Sequence, residues 1–414
     1  MTSSTEVIVS SPTYLRNMSR IIQSTHPRIL NNYLIWHVTQ QNVPGLSLHF
    51  RYAAEKMSNI VENTRTTKEA WRECVGVVDG KFGMELGAVF VKRKFPAESK
   101  KRVEDMIEDI KLSFHHIFDT LEWMDELTKD KAREKLNATF DMIGYPDYIL
   151  DTEYMDKYYE KMTIVKDDFF QNIQSSLNFE YENAKKKLNS PVEKYNWDMT
   201  PPEINAYYGN NNNAIVFPAG LLQWPFYDPT FPRYVNFAGV GTVIGHELTH
   251  AFDNWGAQFD KDGNINNWWT DESWDKFERR SQCLVDLYSQ YVMEGTRVNG
   301  LLTMGENMAD IGGLTQSYFA YKQMESREGT ELPLAGLNLT QEQTFFLAYS
   351  QTWCIVRRPH SLKNHILTDE HAPEKLRVLV PLMHMTEFAE AYQCPLGSPM
   401  NPVDRCDDDR RLWW

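Results

Sequence analysis

Two histidines four residues apart, His246 and His250, stand with Glu247 in the stretch VIGHELTHAFDNWG, residues 243–256. On a helix, positions i and i+4 share a face, so both imidazoles can bind one ion, and Glu247 lies within reach of a water activated by that ion. Catalytic zinc takes three protein ligands and keeps a further position for water or substrate. It lowers the pKa of that water to about 7, where a neighbouring carboxylate can take the proton. The plain alternative is coincidence, with both histidines in ordinary hydrogen bonds, because three fixed letters recur in unrelated proteins. The flanks argue against it. His246, Glu247, His250 and Asp253 form a polar stripe among Val243, Ile244, Leu248, Ala251 and Phe252, and such a stripe is costly to bury unless something pairs with it.

A third ligand is then required. The segment TMGENMADIGGL, residues 303–314, places Glu306 and Asp310 at i and i+4 of a second helix, with Met308, Ile311 and Leu314 on the other side. Glu306 can ligate the ion, and Asp310 can accept the free ring N–H of a ligand histidine, fixing its tautomer. An acidic stripe facing an imidazole stripe points to a zinc hydrolase.

The elements that must carry these stripes are mostly helical. From 97 to 140, Met106, Ile107, Ile110, Phe114, Ile117, Phe118 and Leu121 recur at helical spacing with charges opposite, up to a break at Gly144-Tyr145-Pro146. His115 and His116 read there as solvated surface residues. In NAYYGNNNNAIVFPAG, residues 205–220, two short β-prone runs flank an Asn-rich turn, which predicts a hairpin or an edge-strand pair. Helices are expected again near 235–255, 271–292, 304–325, 341–353 and 374–392, with a domain boundary near 125–150.

Composition bounds the rest. The chain has 414 residues, 42% hydrophobic and 13% aromatic, enough for a globular core. A net charge of −14 argues against a nucleic-acid partner. No run approaches the ~20 apolar residues of a membrane span, and the opening residues lack the pattern of a signal peptide. The cysteines Cys74, Cys283, Cys354, Cys394 and Cys406 form no C-x-x-C pair, so a thiolate zinc site is not expected. N-x-S/T sequons at Asn17, Asn137 and Asn338 matter only for a secreted glycoprotein.

GHELTHAFD followed by GENMADIGG resembles the neprilysin and endothelin-converting enzyme family of zinc metallopeptidases. ILNNYLIW (29–36), DMIGYPD (141–147), NAYY (205–208), IVFPAGLLQ (215–223), GNINNWWT (263–270), TDEHAP (368–373) and GSPMNP (397–402) resemble it too, in the same order and nearer the endothelin-converting branch. The resemblance implies a mainly α fold with a small mixed β-sheet. A partial helical cap would cover residues 1–130 and a thermolysin-like catalytic domain residues 131–414. It implies one zinc per chain on His246, His250 and Glu306, with Glu247 as general base. Asp310 and Asp253 would orient the two histidines. His371 would stabilise the oxyanion, although alone it would read as a loop histidine beside Asp369 and Glu370. Arg377, otherwise an ordinary salt-bridging residue, would bind a substrate carbonyl, and Asn205 and Ala206 would pair with extended substrate. Leu221, Phe226, Val243 and Trp353 would form the pocket for the residue after the cut, favouring large apolar side chains.

The expected activity is therefore hydrolysis of oligopeptides on the amino side of such residues, outside the cell or at its surface. Some positions depart from the family pattern: Asn254-Trp255 after HAFD, Trp224 in the LLQWPF turn, and Thr242 and Thr352 at the pocket wall. Family members also carry a cytosolic tail, a membrane anchor and earlier cap helices, which implies a fragment or a shortened paralogue. On the same resemblance Cys283 pairs with Cys406, and the other three cysteines pair with residues absent here. The competing readings are a truncated remnant that binds peptide or a partner without cutting and, with less to support it, a thermolysin-like bacterial protease. Intact Glu247 favours the enzyme.

Overall fold

Residues 97–120 form the helix that the apolar spacing predicts, and Val103, Ile107, Ile110, Phe114 and Phe118 on its inner face are fully buried. The computed structural model describes residues 11–64, 69–188 and 193–406, with positions 7, 9, 190 and 191; residues 1–6, 8 and 10 of the opening stretch read for a signal peptide lie outside them. Two compact units emerge, residues 1–77 with 160–190, and residues 78–159 with 191–414. In the first, the helices Pro12–Ser24, Pro27–Asn42 and Leu48–Val61 bury no side chain completely, while Phe169–Lys187 buries Ile173 and Phe179.

The second unit carries the large core and all the strands. The amphipathic segment expected to run to residue 140 breaks sooner: helix 97–120 ends at Leu121, and Glu126–Asn137 forms a separate helix. The cause is local. Asp125 caps the second helix by accepting from the backbone N–H of Thr128 at 3.0 Å, and it also takes the hydroxyls of Thr270 and Ser273. Phe140 already belongs to a strand, β1 (Phe140–Gly144). The Asn-rich turn closes the expected hairpin between β2 (Tyr207–Gly209) and β3 (Ala214–Pro218). β1 runs parallel to β3, giving a mixed sheet in the order β1-β3-β2 with β2 at its edge. Asn213 ends the turn at φ 47°, a region that asparagine tolerates, and its amide binds the carbonyls of Lys135 and Lys261 at 3.1 and 3.0 Å.

The helix bearing His246 is composite: Arg233–Asn236, a π turn at Phe237–Gly241, then Thr242–Thr249. It stops at His250 rather than near 255. Further helices span Asp271–Tyr288, Met304–Glu328 and Gln341–Thr352. Pro359–Thr368 is a helix that the spacing did not reveal, and the segment expected as 374–392 is two helices divided at Met385. Cys283 and Cys406 are disulfide-bonded, a covalent link between residues 123 positions apart. Cys74, Cys354 and Cys394 are thiols. Among the described residues, no helix is long and apolar enough to cross a membrane.

The helix at 242–249 stops where it does because the chain wraps around an ammonium. Lys135, 1% exposed, donates to the carbonyls of Ala251, Gly256 and Phe259 at 2.7, 2.7 and 2.6 Å. Burial pushes its pKa down to about 7, against the pull of Asp253 and Asp260. Gly256 is required inside this turn, since a Cβ there would stand 1.8 Å from the His250 carbonyl oxygen. Lys135→Met should strand three buried carbonyls and destabilise the chain by about 3 kcal/mol or more, read from the midpoint of urea unfolding.

Candidate metal centre

The two helices that carry the stripes touch through their backbones. A Cβ on Gly313 would stand 2.6 Å from the His246 nitrogen and the Thr242 oxygen, and one on Gly245 would stand 2.7 Å from the Gly313 oxygen. Only glycine at both positions lets helix 242–249 lie this close to helix 304–328. The approach sets the imidazoles of one against the carboxylates of the other.

Three donors converge. His246 Nε2 lies 3.0 Å from His250 Nε2 and 3.1 Å from Glu306 Oε2, and His250 Nε2 lies 3.6 Å from Glu306 Oε1. Both Nδ1 atoms are engaged elsewhere: His246 with Asp310 Oδ1 at 3.0 Å, His250 with Asp253 Oδ2 at 2.6 Å. A ring whose Nδ1–H is donated to a carboxylate presents a lone pair at Nε2. Two such lone pairs and a carboxylate oxygen repel one another unless a cation stands among them. A tetrahedral zinc with bonds of about 2.1 Å would hold its donor atoms about 3.4 Å apart, close to the spacing found. His246, His250 and Glu306 also form the metal-competent group among the described residues.

Charge points the same way. Glu247, Asp253 and Asp310 are buried and the Glu306 side chain is 12% exposed, while Arg377 is the fixed cation set among them. Arg377 is committed in two directions. Its Nε and Nη2 donate to Asp310 at 2.7 Å each, and the guanidinium lies 4.1 Å from the Trp353 ring centre. Burial lifts the Glu247 carboxyl above its usual range, against the opposing pull of His246 and His250. For His250, burial would lower the pKa, but Glu306 and Asp253 raise it to about 10. Four carboxylates thus hold positive charge in the site strongly, as a dication requires.

Every residue singled out from the sequence as ligand, base, orienting group or substrate contact lines one cleft of about 660 Å³. Asn205 and Ala206 lead into edge strand β2, and Leu221, Phe226, Val243 and Trp353 are gathered in the same cleft. His371 stands with Nε2 3.1 Å from Glu306 Oε2 and Nδ1 2.8 Å from Asp369 Oδ1. Burial would lower its pKa, but Glu306 and Asp369 raise it to about 9. Of the departures from the family pattern, Thr242, Asn254 and Trp255 line the cleft. Trp224 does not, being 74% exposed, and neither does Thr352. Sequence reasoning passed over Asp369, whose only signal is its place two residues before His371. It also passed over Lys135, which reads as an ordinary helix-surface lysine, and Tyr349, whose hydroxyl donates to the Arg377 carbonyl at 2.5 Å.

Comparison with known proteins agrees with this geometry. A family model of peptidase family M13 matches residues 205–407, and a second model of that family matches residues 1–146. The mouse protein endothelin-converting enzyme-like 1 is 44% identical over 401 residues, covering 97% of this chain and 52% of that protein. Human endothelin-converting enzyme 1 is 42% identical over 402 residues, with 97% and 52% covered. The chain spans about half the length of the curated relatives it matches. Among solved structures, the zinc metalloprotease Zmp1 of Mycobacterium tuberculosis, in complex with an inhibitor, superposes with a TM-score of 0.85 at 28% identity. That match covers 97% of this chain and 60% of Zmp1. PepO of Lactobacillus rhamnosis HN001 gives a TM-score of 0.83 at 27% identity over the same shares. Matched by both models and sharing the mainly helical fold with its small mixed sheet, the chain belongs to peptidase family M13, the neprilysin and endothelin-converting enzyme family of zinc metallopeptidases.

Proposed function

We propose that this chain is a zinc-dependent endopeptidase that hydrolyses oligopeptides on the amino side of large apolar residues, acting outside the cell or at its surface. The observation that carries the reading is the convergence of His246 Nε2, His250 Nε2 and the Glu306 carboxylate beside buried Glu247 in an open cleft. Those three side chains hold one zinc ion. When bound, the ion supplies a Lewis acid that acidifies a water molecule to a pKa of about 7.

The chain's own residues do the rest. Glu247, raised in pKa by its burial, takes a proton from the attacking water and returns it to the leaving amine. Asp310 and Asp253 hold the Nδ1–H of His246 and His250, so that Nε2 faces the ion. His371, kept protonated by Glu306 and Asp369, donates to the oxyanion of the tetrahedral intermediate. Arg377, held rigid by Asp310 and Trp353, binds a substrate carbonyl. The free edge of β2 beyond Ala206 accepts an extended peptide backbone. Leu221, Phe226, Val243 and Trp353 receive the apolar side chain that follows the cut. In this reading residues 131–414 form the catalytic domain and residues 1–130 part of a helical cap.

Three outcomes test it. Glu247→Gln should keep stoichiometric zinc by metal analysis and lose peptidase activity by at least about 100-fold, since the amide cannot take the proton. His246→Ala should lose metal and activity together. Asp253→Ala should weaken zinc binding by roughly 10- to 100-fold in a chelator competition, because the His250 ring loses the acceptor that fixes its tautomer.

A further inference from the structure

Asp369 uses both of its carboxylate oxygens. Oδ1 accepts from the His371 backbone N–H at 2.9 Å and from the His371 ring Nδ1 at 2.8 Å. Oδ2 lies 3.1 Å from Nδ1 of a second histidine, His365, one turn earlier on helix 359–368. The two histidines differ in setting. The His371 side chain is 37% exposed at the cleft, whereas that of His365 is 7% exposed, and His365 Nε2 is buried with no hydrogen-bond partner among the described residues. Leaving a buried ring nitrogen unpaired costs about 1–3 kcal/mol, which an apolar residue at the same place would avoid. What the imidazole offers in return is the 3.1 Å contact of Nδ1 with Oδ2.

The geometry points to His365 as a positioning residue for His371, acting through Asp369. The Asp369 side chain is 39% exposed, and a carboxylate held only at Oδ1 can rotate about its last torsion and exchange its oxygens between His371 and water. With Oδ2 set 3.1 Å from His365 Nδ1, that rotation would give up this contact as well as the hydrogen bond to His371. Oδ1 therefore stays on the His371 ring, which fixes the ring's orientation and aims Nε2 into the cleft beside Glu306. The inference rests on the role proposed above for His371. A purely local account is also on the page, because His365 and Asp369 are an i,i+4 pair at a helix end, with the Asp369 N–H bonded to the His365 carbonyl at 2.9 Å. That account affects helix stability and leaves His371 untouched.

The two separate in the zinc-loaded 414-residue chain. His365→Phe keeps the ring volume and removes the donor. It should lower kcat on the order of tenfold, with KM and zinc content unchanged and the melting temperature not lowered. His365→Asn, whose Nδ2 can stand where Nδ1 stood, should recover most of the loss. The His371 Nδ1–H resonance should be sharp in the parent, broaden in the Phe variant and return in the Asn variant. In a His371→Ala background, His365→Phe should cost nothing further. An unchanged kcat or resonance in His365→Phe, or an equal loss in both backgrounds, overturns the proposal. If His371→Ala alone keeps full kcat, the role of His371 fails first and the inference falls with it.

Discussion

The contact on which the rest depends is the one between Gly245 and Gly313. Helices usually keep their axes 8–10 Å apart because side chains stand between them. Here the backbone of 313 lies against that of 242–246 with no side chain between. Four side chains from the two helices then meet within 3.0–3.6 Å, His246 and His250 from one and Glu306 and Asp310 from the other. Even one methyl group at that contact would push the imidazole stripe away from the carboxylate stripe. The π turn at 237–241 belongs to the same arrangement, since Ser317 on the second helix donates to the Phe237 carbonyl at 2.6 Å and secures the widened turn.

A common pattern surrounds this contact. Each imidazole that faces the cleft is held at Nδ1 by a carboxylate, and each carboxylate is held by something else. Asp310 is gripped by Arg377, which is packed on Trp353. Asp253 takes the N–H groups of Trp255 and Gly256, inside the turn gathered around Lys135. Asp369 is flanked by His365. The supports come from different parts of the chain, so the precision of the centre is shared among the helices at 126–137, 359–368 and 374–384.

The centre itself could be read from sequence because spacing on a helix has a direct geometric meaning: i and i+4 share a face whatever the rest of the fold does. The hairpin at 205–220 was legible for a similar reason, an Asn-rich turn between β-prone runs. The helix ends were less so. The stop at His250 depends on Lys135, more than a hundred positions earlier, and no local signal announces it. The break at Leu121 depends on Asp125 meeting Thr270 and Ser273, again a distant partnership. The helix at 359–368 was missed because its burial is slight, with His365 and Ile366 alone fully covered. Asp369 was read as a sign of a solvated loop, and in the fold it is the partner of His371.

The disulfide between Cys283 and Cys406 encloses Glu306, Asp310, His371 and Arg377 and leaves His246 and His250 outside the loop. Within that loop, residues 329–339 carry no helix or strand, Leu332 is 87% exposed and Val356 98%, so these are the places another protease would cut. A chain nicked there would not fall apart, because the two pieces remain covalently tied across the cut, the first with His246, His250 and Glu306 and the second with His371 and Arg377. For a protein that shares its surroundings with proteases, the bond acts as a latch on a broken chain, and the pieces would part only once it is reduced.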